Sequence, residues 1–209
     1  MQFVDVIRQS VRKPISRLAK SLDSLSKGKI SPDSITIAGF LAHIPIALLI
    51  AYGYLFAGAL LLIVFGLFDT LDGELARLQK RASPAGMLLD ASTDRLKEVL
   101  LYGGAAYYLS THVTSELTFV AVIACGASLC VSYVKAKGES AVATSDKKPS
   151  HTTLNKLFAD GLATFEIRML ILIIGLLTNQ LLASIIIIAI LSIYTAVFRL
   201  IKISRYLNS

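Results

Sequence analysis

Cysteine is nearly absent: the chain has only Cys125 and Cys130, and they do not form a CxxC pair. Neither a zinc site nor a disulfide framework is indicated, and both read as small residues inside an apolar run. No cleavable signal peptide is visible or expected, since Asp5, Arg8, Arg12 and Lys13 interrupt the first apolar stretch. The first membrane span is expected to serve as its own insertion signal. Neither an internal repeat nor a second domain is visible. Lys and Arg are absent from three short segments, around Gly53, from His112 to Ser115 and from Thr178 to Gln180. The net charge of +7 therefore follows membrane topology along the chain, and nucleic acid is not the expected partner.

What the chain has in quantity is apolar surface. Of its 209 residues, 55% are hydrophobic, and the mean hydropathy is +0.67. A soluble domain needs far less for its core. Crossing roughly 30 Å of hydrocarbon takes about 20 residues of helix. Six runs qualify: 34–53, 55–77, 86–109, 115–135, 158–177 and 180–200. The positive-inside rule then puts both termini and the loops 78–85 and 136–156 in the cytoplasm of a multi-pass cell-membrane protein.

The expected fold is all-α and integral to the membrane. Six transmembrane helices in one domain, 29–209, follow an amphipathic juxtamembrane helix at 1–28. In that helix Phe3, Ile7, Val11, Ile15, Leu18, Leu22 and Leu25 recur at helical intervals among Arg8, Arg12, Lys13, Arg17 and Lys20. It suits the head-group layer, or a solvated position against the cytosolic ends of the spans. Pro14 is a candidate kink. Ser31 and Pro32 read as N-cap and first residue of the first span, an ordinary cap or an end that favours phosphate. Gly138–Ser150 reads as a loop. His43 reads as a hydrogen-bonded packing residue.

The chemistry concentrates between the second and third runs. Asp69, Asp72, Gly73 and Ala76 fall at i, i+3, i+4 and i+7 on one helical face, and Gly86, Asp90 and Asp94 share another. A turn containing Pro84 makes the helices antiparallel neighbours, so four carboxylates converge. Asp69 lies 14 residues past Leu55, roughly 21 Å along the axis and below the cytoplasmic head groups. Each intramembrane Asp costs about 2.5–3.5 kcal/mol at a helix centre. The second run has no basic residue before Arg77. Hard divalent cations, Mg²⁺ or Mn²⁺, supply the missing charge. Gly73, Ala76 and Gly86 either clear space for a ligand or let helices pack closely.

Asp69 to Asp94 matches, at every fixed position, the pattern DxxDGxxAR, eight residues, GxxxDxxxD. The chain thus resembles the CDP-alcohol phosphotransferases, transferases of phospholipid biosynthesis. The likeness extends to the six runs and the amphipathic start. It implies a homodimer with two metal ions per active site, held by Asp69, Asp72, Asp90 and Asp94, with Asp94 also the general base. It assigns CDP-lipid binding to Pro32, Asp33, Ser34, Ile35, Gly73, Arg77 and Ser83. Arg77 read by itself could instead snorkel at the interface.

The acceptor has to be read elsewhere. Ser132-Tyr133-Val134-Lys135-Ala136-Lys137 is similar to the SYxKAR ending of the fourth span in phosphatidylinositol phosphate synthases, with Lys137 replacing their arginine. Leu89–Arg95 also leans toward that branch, whereas users of glycerol phosphate more often read LDPxADK. Lys135, Lys137 and Arg168 are the candidate clamp for the phosphate of inositol phosphate. The donor implied is CDP-diacylglycerol or CDP-archaeol, and CMP is the leaving product. A rival acceptor is glycerol 3-phosphate, making a phosphatidylglycerol phosphate synthase. A rival of another class is a membrane cation transporter, against which the acids stand at one depth.

Overall fold

The computed structural model describes residues 2–145, 147, 157–158 and 161–209, with side chains from Lys13 onward. Among the described residues every regular element is a helix. In chain order these are α1 (Gln2–Ser26), α2 (Pro32–Ala51), α3 (Leu55–Gly66), α4 (Phe68–Leu78), α5 (Pro84–His112), α6 (Thr118–Ala143), α7 (Phe165–Leu177) and α8 (Leu181–Asn208). Four stretches are long and apolar enough to cross a membrane: Pro32–Ala51, Leu55–Leu78, Ser115–Ala143 and Leu181–Asn208. α5 has the length, with 29 residues, but Asp90, Asp94, Arg95, Lys97 and Glu98 dilute its apolar content. α7, with 13 residues, reaches about 20 Å, short of the hydrocarbon thickness.

The chain forms two compact units, Met1–Tyr108 and Leu109–Ser209. In the first, α1 lays Ile15 and Ala19 against Ile35 of α2 and Leu71 and Leu75 of α4. That leaves Leu18 and Leu25 exposed. Pro14 sits inside an uninterrupted α1. Phe3, Ile7 and Val11 fall outside the described side chains. α2 starts as its sequence predicts: Ser31 is extended, and its Oγ accepts from Ser34 N at 3.1 Å. α2 and α5 touch at Gly104, where any Cβ would overlap the carbonyl of Ala47. Glycine lets the two backbones meet, the usual route to helix contact where lipid gives no hydrophobic drive. His43 is buried, with Nδ1 2.7 Å from Gly39 O, the packing role expected of it.

The second run is one stretch in sequence and two helices in space. Leu67 divides α3 from α4, and a tight Thr70 N to Leu67 O bond of 3.2 Å precedes the regular Leu71 N to Leu67 O bond of 3.0 Å. After α4, the turn at 79–83 ends on Ser83, whose Oγ accepts from Gly86 N at 3.1 Å and opens α5.

In the second unit, two expectations change. Gly138–Ala143 is not loop but the end of α6. No residue in it breaks a helix, and Gly138 is small enough to sit against Ile203 and Phe158. The later part of the expected loop, 146 and 148–150, lies outside the described residues. Among its described residues, the expected fifth run, 158–177, is helical at 158 and again from Phe165, with 161–164 non-helical between. Its backbone is turned out by Gly161, φ +152°, and by an extended Thr164. The freed Ala163 N donates to Thr195 Oγ1 at 3.1 Å. A side chain at Gly161 would meet Thr195 as well as adopting a strained φ.

Candidate active site

α4 and α5 bring three carboxylates together. One oxygen from each of Asp69, Asp72 and Asp90 lies within 4.8 Å of the others. Asp72 is buried and held by Thr36 of α2, whose Oγ1 is 2.5 Å from Asp72 Oδ2 and 3.3 Å from Pro32 O. The hydroxyl has one proton, and the nearer, charged acceptor takes it. Asp90 Oδ1 is buried without a hydrogen-bond partner. A buried carboxylate oxygen lacking a donor is costly, and a cation removes that cost. All-oxygen donors at this spacing, one of them unsatisfied, fit a hard divalent ion such as Mg²⁺ or Mn²⁺.

Asp94 stands apart from that trio. Its Oδ1 accepts from Lys97 Nζ at 3.1 Å, and the same ammonium reaches Asp69 Oδ1 at 2.5 Å. Lys97 is 0% exposed. Arg95 lies 3.8 Å from Asp94 and pairs with the buried Glu98 at 2.8 Å. Arg77 is therefore not the nearest cation to these acids, although the second run itself has no basic residue before it. Counting bases in the second run alone overlooked the third. Lys97 follows Asp94 by three residues and Asp90 by seven, the spacing of one helical face, and that signal was available. Thr36 carried a weaker one, a polar residue just beyond the cap of the first span.

The small residues separate two readings. A Cβ at Gly73 would meet only the Arg77 guanidinium, at 3.7 Å, an ordinary distance. Packing within this chain does not demand glycine there. Arg77 is 55% exposed and pairs with Glu74 at 2.7 Å. Gly86 brings Ser83 Oγ and Asp33 Oδ1 into one place, 3.4 and 3.5 Å from where its Cβ would stand. Asp33 and Ser34 are exposed, whereas Pro32 and Ile35 are buried. Ile35 contributes to the α1–α4 core rather than presenting its side chain.

In the second unit, Arg168 of α7 is 1% exposed and donates through Nη1 to Ala163 O at 2.6 Å. Lys135 and Lys137 are exposed on α6. Two residues apart on a helix, they leave it in roughly opposite directions, and Lys135 lies 3.9 Å from Glu139. Arg199 of α8, which the sequence reading passed over, is buried and donates to Val131 O at 2.9 Å. Its Nη2 lies 3.2 Å from the Cβ position of Gly161. Arg168 and Arg199 thus both border the non-helical segment 161–163. An arginine late in an apolar run was the available signal.

Known proteins resemble this chain in sequence and in fold. Residues 29–198 match the family model of the CDP-alcohol phosphatidyltransferases. The archaetidylinositol phosphate synthase of Pyrococcus horikoshii is 32% identical over 206 residues, 97% of each chain. The phosphatidylinositol phosphate synthase of Mycobacterium marinum is 36% identical over 113 residues, 53% of this chain. That match covers 48% of the mycobacterial protein, so the aligned part spans about half the length of such curated relatives. Among solved structures, the phosphatidylinositol phosphate synthase of Mycobacterium tuberculosis with CDP-DAG bound has a TM-score of 0.76 at 26% identity, covering 90% of this chain and 92% of that one. The same enzyme in complex with manganese and citrate also scores 0.76, at 26% identity and 91% and 88% coverage. An all-helical, multi-pass membrane chain, an aspartate motif whose side chains converge in space, and a match over most of the length lead to one assignment: the chain belongs to the CDP-alcohol phosphatidyltransferase family.

Proposed function

We propose that this protein transfers the phosphatidyl-type group of a CDP-linked lipid, CDP-diacylglycerol or CDP-archaeol, to inositol phosphate and releases CMP. The observation that carries the reading is the convergence of Asp69, Asp72 and Asp90 around a buried, unsatisfied Asp90 oxygen. The full-length similarity to an archaetidylinositol phosphate synthase supports inositol phosphate as acceptor. Bound divalent metal would neutralise the pyrophosphate and stabilise the departing CMP phosphate.

The chain's own residues do the rest. Gly73 admits the nucleotide, and Arg77 turns from Glu74 to phosphate oxygens. Asp33, Ser34, Ser83 and the backbone at Pro32 and Ile35 border the donor. Asp94 takes the proton of the acceptor hydroxyl as its oxygen bonds to the lipid-linked phosphorus and the bond to the CMP oxygen breaks. Arg168, joined by Arg199, receives the acceptor phosphate, with Lys135 and Lys137 drawing the anion toward the surface. The six-span arrangement behind an interfacial α1, the cytoplasmic placement of the site and both termini, and a homodimer complete the reading.

The test is incubation of membranes containing the protein with each CDP-lipid, Mg²⁺ and one acceptor at a time, reading CMP and lipid product. Inositol phosphate is expected to be consumed. Consumption of glycerol 3-phosphate alone, the acceptor that Lys137 leaves open, would overturn the inositol assignment. Absence of CMP with every acceptor would overturn the transferase reading.

A further inference from the structure

Two ties fasten the beginning of α2 to α4, and the segment proposed to border the donor lies between them. One is the Thr36 hydroxyl on Asp72. The other is the side chain of Gln79, the residue that closes α4. Its Nε2 donates to Asp23 Oδ1 of α1 at 2.7 Å and to Ile30 O at 3.0 Å. Pro32, Asp33, Ser34 and Ile35 all fall between Ile30 and Thr36. We propose that Gln79 is a positioning residue for the CDP-lipid: it sets where the first turn of α2 stands against Gly73 and Arg77 of α4, without touching the donor itself. The inference rests on the proposed reading of these residues as the donor's border, and it adds a residue to which that reading gives no role.

The local chain shows what the tie restrains. α1 stops in a Schellman turn, with Gly28 N on Asp23 O at 3.0 Å and Lys27 N on Ser24 O at 3.2 Å. The turn holds Lys27 at φ +53°, in the left-handed region that residues other than glycine seldom occupy. Lys29 and Ile30 alone then separate it from Ser31, the N-cap of α2. Gln79 grips this connector on both sides of the turn, at the Asp23 carboxylate before it and the Ile30 carbonyl after it. A single amide therefore registers α1, α2 and α4.

The orientation of that amide follows from its partners. Both are acceptors, so the NH₂ group faces them and the carbonyl faces away. Oε1 is then buried without a hydrogen-bond partner. An unpaired buried acceptor opposes folding, and an apolar side chain of similar shape has no such cost. Stability alone gives no reason for glutamine at this position. What glutamine adds is direction, since hydrogen bonds fix a geometry that apolar contact leaves free to slide. Asp33 and Ser34 are exposed, so burial of their side chains does not hold them in place. Their position is inherited from the backbone that Gln79 and Thr36 pin on either side.

The experiment titrates CDP-diacylglycerol and, separately, CDP-archaeol into the purified full-length protein with Mg²⁺ present, and follows CMP release with each substrate varied in turn. Gln79→Met keeps the bulk and loses both hydrogen bonds. It should weaken binding of the CDP-lipid about 10-fold and raise donor KM by the same factor. Acceptor KM, kcat and the Mg²⁺ concentration for half-maximal rate should stay within about 2-fold. Asp23→Asn keeps the accepting oxygen and should change donor binding by less than about 2-fold. Donor binding unchanged in Gln79→Met would overturn the inference. So would an equal rise in donor and acceptor KM, which is the mark of general loosening. Should Gln79→Met fail to fold, Asp23→Leu removes one acceptor and leaves the Ile30 tie; donor binding should weaken about 3-fold, and no change would overturn the inference. Failure of the unaltered protein to bind either CDP-lipid would overturn the proposed function itself, and the role of Gln79 with it.

Discussion

The two compact units bury charge by opposite means. Residues 1–108 pair charge with charge: Lys97 spans Asp69 and Asp94, and Arg95 meets Glu98. Residues 109–209 pair charge with backbone: Arg168 donates to Ala163 O and Arg199 to Val131 O. A cluster of opposite charges is internally compensated, and removing one member exposes the others to the low dielectric. A guanidinium on a carbonyl keeps its positive charge, and the Nε atoms of Arg168 and Arg199 are buried without a hydrogen-bond partner. The first unit is therefore built to hold cations, and the second to offer positive charge to an anion. The proposed function assigns donor chemistry to residues of the first and acceptor recognition to residues of the second.

That division can be broken most severely at Asp94. Asp94→Asn should lower kcat for CMP release by about 10²- to 10⁴-fold, the usual contribution of a general base. Binding of the CDP-lipid, measured by direct titration, should persist. Next in size is Thr36→Val, which leaves Asp72 without its hydroxyl donor. The Mg²⁺ concentration for half-maximal rate should rise about 10- to 100-fold, the range for losing a partner of a metal ligand, with acceptor KM unchanged.

Arg168→Lys tests the second unit alone. It keeps the charge and loses the planar fork, and acceptor KM should rise about 10-fold while donor KM stays in place. A change in donor KM instead would dissolve the division of labour. The smallest effect should be on stability and not on turnover. Gly104→Ala pushes a methyl group into the Ala47 carbonyl and should cost about 1–3 kcal/mol. Its neighbour Gly103 has nothing within 4 Å, and Gly103→Ala should add about 0.5–1 kcal/mol. Thermal unfolding in detergent checks the pair.

The same contrast governs what the sequence made legible. Asp69, Asp72 and Asp90 are close along the chain and lie on two adjacent helices, so spacing alone placed their carboxylates together, while Asp94, expected with them, stands apart. The cap at Ser31 and the turn before Pro84 were readable for the same reason. Lys97 was equally local, but it was missed by looking for counter-charge in only one helix. The acceptor side has no such economy: Arg168 and Arg199 sit 31 positions apart, and what relates them is the bent segment 161–163. A glycine with φ +152° inside an apolar run reads as helix until the backbone is seen. Gly138–Ala143 erred in the other direction, because serine, threonine and lysine nearby suggested a loop where helix packing prevails.

The interruption at Leu67 separates two kinds of evolutionary freedom. α3 is almost wholly apolar and α4 carries the acids, and the two meet at one residue, Leu67. Residues of α3 can be exchanged to suit bilayers of different thickness or lipid tails of different build without turning Asp69 and Asp72 away from α5. A lineage moving between kinds of membrane could alter one half of this span and leave its chemistry alone.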